Sequence, residues 1–165
     1  FAFANRELMM TKIRNIIYET VALTTRFEPM INIAHNYARF ENHFGKNVIV
    51  HRKGATSARK GEIGIIPGSQ GTASYIVRGL GNKDSFESCS HGAGRKMGRK
   101  QAQRELNLEE EQKKLNDKGI LHSVRGRHSH DEATGPYKSI DQVIESQSDL
   151  VEVVTKLEPL GVIKG

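Results

Sequence analysis

Apolar residues recur three or four positions apart at Met9, Ile13, Ile16, Ile17 and Val21. That spacing predicts an amphipathic helix over about residues 5–21, with its stripe turned to a core. Met30 to Ala34 is a short apolar run that predicts a buried strand delivering His35 at its end. Alternation over 47–52 predicts a strand, 62–66 another, and the β-branched and aromatic run Ser74-Tyr75-Ile76-Val77-Arg78 a third. A helix is expected from about Gly92 to Leu106, and a second from Leu108 to Asp117 closed by Gly119. Residues 120–124 read as a strand and 139–147 as a short helix whose N-cap is Ser139. Two apolar runs, 150–154 and 160–163, end the chain, and no internal repeat occurs. Residues 125–135 are polar and histidine-rich, a loop rather than a linker between domains. The sum is one α+β domain over residues 1–165, a mixed sheet with flanking helices.

Composition narrows the class. The 165 residues suffice for one domain with a sizeable core. No apolar run approaches the ~20 residues that span a bilayer, so no membrane role is expected. A single cysteine, Cys89, excludes an internal disulfide and fits a reducing, cytoplasmic setting. The chain opens on Phe1-Ala2-Phe3 with no secretion signal behind it, an opening expected of a fragment. The net charge of +6 is unevenly spread. Arg95, Lys96, Arg99, Lys100 and Arg104 follow His91 without an intervening acid, and Glu105, Glu109, Glu110 and Glu111 come next. Such a stripe suits a polyanion, and it equally describes a solvated helix face.

Two stretches carry candidate chemistry. Pro67-Gly68-Ser69-Gln70-Gly71-Thr72-Ala73-Ser74 is a tight turn whose backbone N–H groups can approach an anion. It lacks the Gly-Lys-Ser/Thr of a Walker loop, and alone it describes an ordinary turn. Ser85-Phe86-Glu87-Ser88-Cys89-Ser90-His91-Gly92-Ala93-Gly94-Arg95 sets a histidine among small residues. With a helix starting near Gly92, its N–H groups and positive dipole end would lie beside the imidazole, as at a phosphate site. Arg95 and Arg99 would then share one face, and Lys96, Lys100 and Arg104 another. A histidine there can act as base, phosphate donor or nucleophile, or merely cap the turn; spacing does not choose.

Five motifs in order resemble those of the RtcB RNA ligases. They are Asn32-Ile33-Ala34-His35-Asn36-Tyr37-Ala38 with Phe40-Glu41-Asn42-His43-Phe44-Gly45; His51-Arg52-Lys53-Gly54-Ala55-Thr56; Pro67-Gly68-Ser69 with Gly71-Thr72-Ala73-Ser74-Tyr75; His91-Gly92-Ala93-Gly94-Arg95; and Gly161-Val162-Ile163-Lys164-Gly165. Each is weak alone, and together they are highly specific. The resemblance implies the C-terminal part of an RtcB-like fold. It also implies a GTP-dependent ligase joining RNA 3′-phosphate or 2′,3′-cyclic phosphate ends to 5′-hydroxyl ends, in tRNA splicing or RNA repair. GTP and manganese are the implied cofactors, RNA the partner, and an accessory activator is compatible with it.

Residue by residue, the resemblance makes His91 the nucleophile that takes GMP, and a neutral imidazole carries the lone pair this needs. His35 resembles a manganese ligand and Asn36 a contact to the bound GMP. Pro67, Gly68, Ser69, Gln70, Ser74, Gly92, Ala93 and Gly94 match nucleotide-contacting positions, and Lys164 the near-terminal lysine that reaches the guanine. Tyr137 matches a tyrosine beside the base. Lys53, Arg95 and Arg99 are candidates to hold RNA phosphates, which positions a strand without reading its sequence.

The family's other metal ligands, an aspartate, a cysteine and two histidines, belong to an N-terminal half outside this sequence; Cys89 does not take the ligand cysteine's place. The fragment alone is therefore expected to be inactive. Gln70 stands where the family usually has methionine. Gly98 stands where a serine is common, and in a helix interior it would cost ~1 kcal/mol relative to alanine. His43, His51 and His122 lack partners at ligand spacing and suit hydrogen-bonded or solvent roles, as do His128 and His130 in their polar loop. A non-catalytic nucleotide- or RNA-binding module is the alternative from a different class, and a degenerate structural relative is a third.

Overall fold

The computed structural model of the chain describes residues 1–122, Val124 and residues 133–162. The chain divides into two compact units, Phe1–Ala34 and His35–Gly165.

In the first unit, helix α1 (Ala2–Thr20) is followed by a segment without regular structure. Phe27 returns to the helix, edge-on to Tyr18 at 5.2 Å and beneath the Arg14 guanidinium at 5.2 Å. Arg6 Nε donates to Asn32 Oδ1 at 2.7 Å. Two sequence expectations need correction here. No residue of α1 is buried, and Met9, Ile13, Ile16 and Val21 are exposed, so the stripe is not core. One helix and one returning segment offer no second apolar layer to cover it. Residues 30–34 form no strand either, because that run pairs with no other strand.

The second unit begins with a hairpin of β1 (Asn36–His43) and β2 (Lys46–Lys53). Phe44 and Gly45 turn it with φ of 53° and 74°, the left-handed pair that two-residue hairpin turns require. Then come β3 (Ala55–Ser57), β4 (Ile63–Ile66), β5 (Ser74–Gly79) and β6 (Ser88–Ser90). Helices α2 (Arg99–Glu105) and α3 (Leu108–Asp117), strand β7 (Leu121–His122), helix α4 (Ile140–Glu145), and strands β8 (Val151–Leu157) and β9 (Gly161–Val162) complete the order. The α+β class holds. Among the described residues the strands form four small sheets: the antiparallel β1-β2, β3-β6 and β4-β5-β8, and the parallel β7-β9.

Local chemistry sets the element ends. Asn107 caps α3 by accepting from the Glu109 and Glu110 amides, and the first-turn Glu109, Glu110 and Glu111 suit that helix end. Gly119 leaves α3 at φ +66°. Ser139 caps α4 by accepting from Gln142 N, as its position implied. The core packs Ile66, Tyr75, Val77 and Val151 of the three-stranded sheet against Ala58, Cys89, Ala93 and Ile140. The Tyr75 hydroxyl donates to Asp141.

The hairpin is anchored by charge. Arg52 is 1% exposed and donates to both carboxylate oxygens of Glu41, at 2.6 and 2.9 Å. It also donates to Ser88 Oγ and the Phe86 carbonyl, each at 2.9 Å. His43 Nε2 lies 2.8 Å from Glu41 Oε2, and Arg59 reaches Glu41 Oε1 at 3.0 Å. The Arg52 hydrogen bonds, against the opposing effect of burial, lower the Glu41 pKa from its ordinary 4.5 to about 2. Since Tyr37 lies opposite Arg52 in register, and Asn36 opposite Lys53, this network fixes the open end of the hairpin.

Candidate active site

That open end meets His91. Strand β3 pairs with β6, Ala55 opposite Ser90, so Gly54 just before β3 and His91 just after β6 face each other. A Cβ on Gly54 would stand 3.8 Å from His91 Cε1, and its φ of +79° favours glycine in any case. The His35 ring stacks on the His91 ring, centroids 5.2 Å apart and planes at 25°. His35, Asn36, Lys53 and His91 are thus gathered at one place. The His91 Nδ1 is buried and has no hydrogen-bond partner among the described residues. A buried ring nitrogen left unpaired costs free energy in the resting protein and is open to a ligand.

The backbone around His91 differs from the expectation. No helix starts at Gly92. Gly94 takes φ +70°, Lys96 N and Met97 N donate to the Pro136 carbonyl, and Gly98 is the N-cap of α2. A left-handed residue cannot continue a right-handed helix, so the turn stays irregular. The helix-dipole argument at His91 therefore falls, and so does the shared helical face of Arg95 and Arg99. Gly98 costs nothing as an interior residue, since it precedes the helix. Arg95 turns back into the fold: Nε donates to the Met97 carbonyl at 3.0 Å, Nη1 to the Tyr137 hydroxyl at 3.2 Å, and the guanidinium lies 5.0 Å from the Tyr137 ring centre. Arg99 opens α2 and is exposed, as is Lys53.

The 67–74 loop closes on the same turn. Ala93 N donates to the Pro67 carbonyl at 3.2 Å. A Cβ at Gly68 would collide with the Ala73 carbonyl and Thr72 Oγ1, so only glycine fits there. Ser69 N donates to Thr72 Oγ1 at 2.6 Å, and Gly68 N to Ser74 Oγ at 3.4 Å. Pro67, Gly68, Ser69, Gln70 and Ser74 line a cavity of about 440 Å³ against residues 157–162. Gln70 is 7% exposed, and neither polar atom of its amide has a partner among the described residues. Lys164 lies outside the described residues, as do His128 and His130.

Among the described residues no group of three or more His, Cys, Asp or Glu side chains is arranged to hold an ion. His35 and His91 alone do not make a coordination set for manganese, which favours several oxygen and imidazole ligands. His43 and His122 are hydrogen-bonded, to Glu41 and Asn116. Cys89 faces the core, and burial pushes its thiol up to about 11. It should resist alkylation in the native chain at neutral pH and react readily in urea, as mass spectrometry of the alkylated protein would record.

Among the described residues, His91 thus stands with an unpaired ring nitrogen beside a glycine-rich loop and a second imidazole. The chain belongs to the tRNA-splicing ligase RtcB family, whose model matches residues 1–165. It is 43% identical to the RNA-splicing ligase RtcB of Escherichia coli, an alignment covering 100% of this chain and 41% of that protein. It is 36% identical to the RNA-splicing ligase RtcB of Mycobacterium tuberculosis, over 98% of this chain and 42% of that one. The tRNA-splicing ligase RtcB of Thermococcus kodakarensis is 34% identical over 100% of this chain and 39% of its own length. The chain thus spans about two-fifths of the length of these relatives. No helix among the described residues is long and apolar enough to cross a membrane.

Proposed function

We propose that this chain carries the nucleophile and much of the nucleotide pocket of a GTP-dependent RNA ligase. The observation that carries the reading is His91, buried at Nδ1, unpaired, and set between His35, Gly54 and the loop over Pro67. A ring nitrogen of His91 attacks the α-phosphorus of GTP; the N–P bond forms as the bond to pyrophosphate breaks. An oxygen of the RNA 3′-phosphate then attacks that phosphorus and displaces the imidazole. A 5′-hydroxyl next attacks the activated 3′-phosphate, expelling GMP and leaving a phosphodiester.

The unpaired amide of Gln70 supports the nucleotide assignment. Its donor and acceptor sit side by side, as do those on a purine edge. Asn36 and the loop over Gly68 are the expected contacts to the phosphate and sugar. Manganese belongs to the resemblance, which places its ligands other than His35 outside this sequence, so no step here is routed through it.

Incubation of a version extended by the N-terminal part that its relatives possess with GTP radiolabelled at the α-phosphate tests the reading. Acid-labile label retained on denatured protein is the expected result. A binding module without catalysis would hold GTP reversibly and retain none.

A further inference from the structure

A second cavity, of about 800 Å³, lies on the other side of the His91 turn, between that turn and α4. We infer that this groove is a phosphate subsite for the RNA strand that approaches His91, an inference resting on the ligase reading above.

Its polar lining is one-sided. Lys96 and Lys138 border it, no carboxylate does, and neither ammonium group pairs with an acceptor among the described residues. Gln147 also lines it, is 5% exposed, and accepts from Ser90 N at 2.9 Å through Oε1. That hydrogen bond fixes which way the amide points. It leaves Nε2, a buried donor, without an acceptor among the described residues. A buried donor calls for an oxygen to bind, and two ammonium groups beside it call for that oxygen to be anionic.

The wall is held in place. Lys138 N donates to the Gly94 carbonyl at 3.0 Å, and Ala93 N to the Pro67 carbonyl at 3.2 Å. Ser90 and Ala93 flank His91 in sequence, so an anion lodged here rests on the turn that carries the nucleophile. The groove is larger than one phosphate needs and is open, which suits a stretch of a chain rather than a free ion. Lysines placed in this way position a backbone and ignore base identity.

The test measures binding of a short single-stranded RNA ending in a 3′-phosphate to the full chain, by fluorescence anisotropy across a range of salt. Lys96→Gln with Lys138→Gln should weaken binding about tenfold. It should also flatten the slope of log affinity against log salt by about 0.7 for each phosphate no longer neutralised. Lys96→Arg with Lys138→Arg should keep both. Gln147→Glu retains an acceptor for Ser90 N but replaces the donor with an oxygen, and should weaken binding too. Wild-type affinity and slope in the glutamine pair would overturn the proposal, as would an equal loss in the arginine pair. Displacement of the RNA by polyglutamate as readily as by unlabelled RNA would assign the groove to acidic peptide instead, and so overturn it. Nucleotide trapping by the version extended with the N-terminal part of its relatives, which needs no RNA, reports the ligase reading separately.

Discussion

In a version extended by the N-terminal part that the relatives possess, His91→Ala should eliminate covalent capture of GMP, a loss of roughly a thousand-fold or more, as expected when a nucleophile itself is removed. GTP affinity, read by isothermal titration, should change by no more than a few-fold. The reason is geometric. The cavity holding the 67–74 loop is lined by residues other than His91. The His91 ring stacks on His35 and its Nδ1 forms no hydrogen bond to a described residue, so truncation there leaves no buried partner stranded. The fold should therefore survive, with an unfolding midpoint close to that of the wild type. An adduct persisting at full yield in His91→Ala would assign the chemistry to another side chain.

Arg52→Ala should be the most damaging single change to the fold. It strips Glu41 of both its short hydrogen bonds and leaves a buried carboxylate facing only His43 and Arg59. Breaking a buried ion pair from one side typically costs ~3–5 kcal/mol, a large part of the ~5–15 kcal/mol that stabilises a domain. The expected result is a chain that unfolds at far lower urea, monitored by circular dichroism. Replacing both partners, Glu41→Leu with Arg52→Met, should recover much of the loss, because no charge is then left buried alone.

The same pair predicts an acid limit. Glu41 has its pKa lowered in the folded state from 4.5 to about 2, so its contribution is complete above about pH 4.5. It is lost as the pH falls toward about 2, where the carboxylate protonates in the folded chain as well. The acid-unfolding curve of Glu41→Leu with Arg52→Met should be flatter across that window. A curve as steep as that of the wild type would show that other carboxylates set the acid limit.

How much of this is legible in the sequence depends on the signal each element leaves. Strands β2, β4 and β5 and helix α3 show in their apolar alternation, β-branched runs and cap residues, and all lie close to where those signals put them. Strand β1 leaves none. Asn36–His43 is mostly polar, and what it buries is Glu41 and His43 in an ion-pair network that only the folded hairpin assembles. The helix expected from Gly92 does not form because Gly94, which seems in sequence only to clear space for a phosphate, is needed for its left-handed φ. The stripe of α1 predicts the helix correctly and its burial wrongly, since periodicity reports a face but not what covers it.

The candidate site divides the same way. The motif order brings His35, Asn36, Lys53 and His91 forward, and pairing of β1 with β2 and of β3 with β6 gathers them. The resemblance also marks the loop over Gly68 and Gln70, which lines a cavity with Ser74. Arg95 and Tyr137 carry separate tasks in the motifs, yet they touch each other in the fold. Gln147 leaves no trace in the sequence. Its importance rests on an amide donor without an acceptor, which only three-dimensional packing can create.

The central claim, that His91 is the residue that takes the nucleotide, is tested most directly by locating the adduct. A version extended by the N-terminal part that the relatives possess is incubated with GTP, digested under alkaline conditions that spare a phosphoramidate, and its peptides are read by tandem mass spectrometry. The account predicts one GMP addition on the peptide containing Ser90-His91-Gly92, with fragment ions placing it on His91. A GMP adduct on any other residue, with the His91 peptide unmodified, would contradict it.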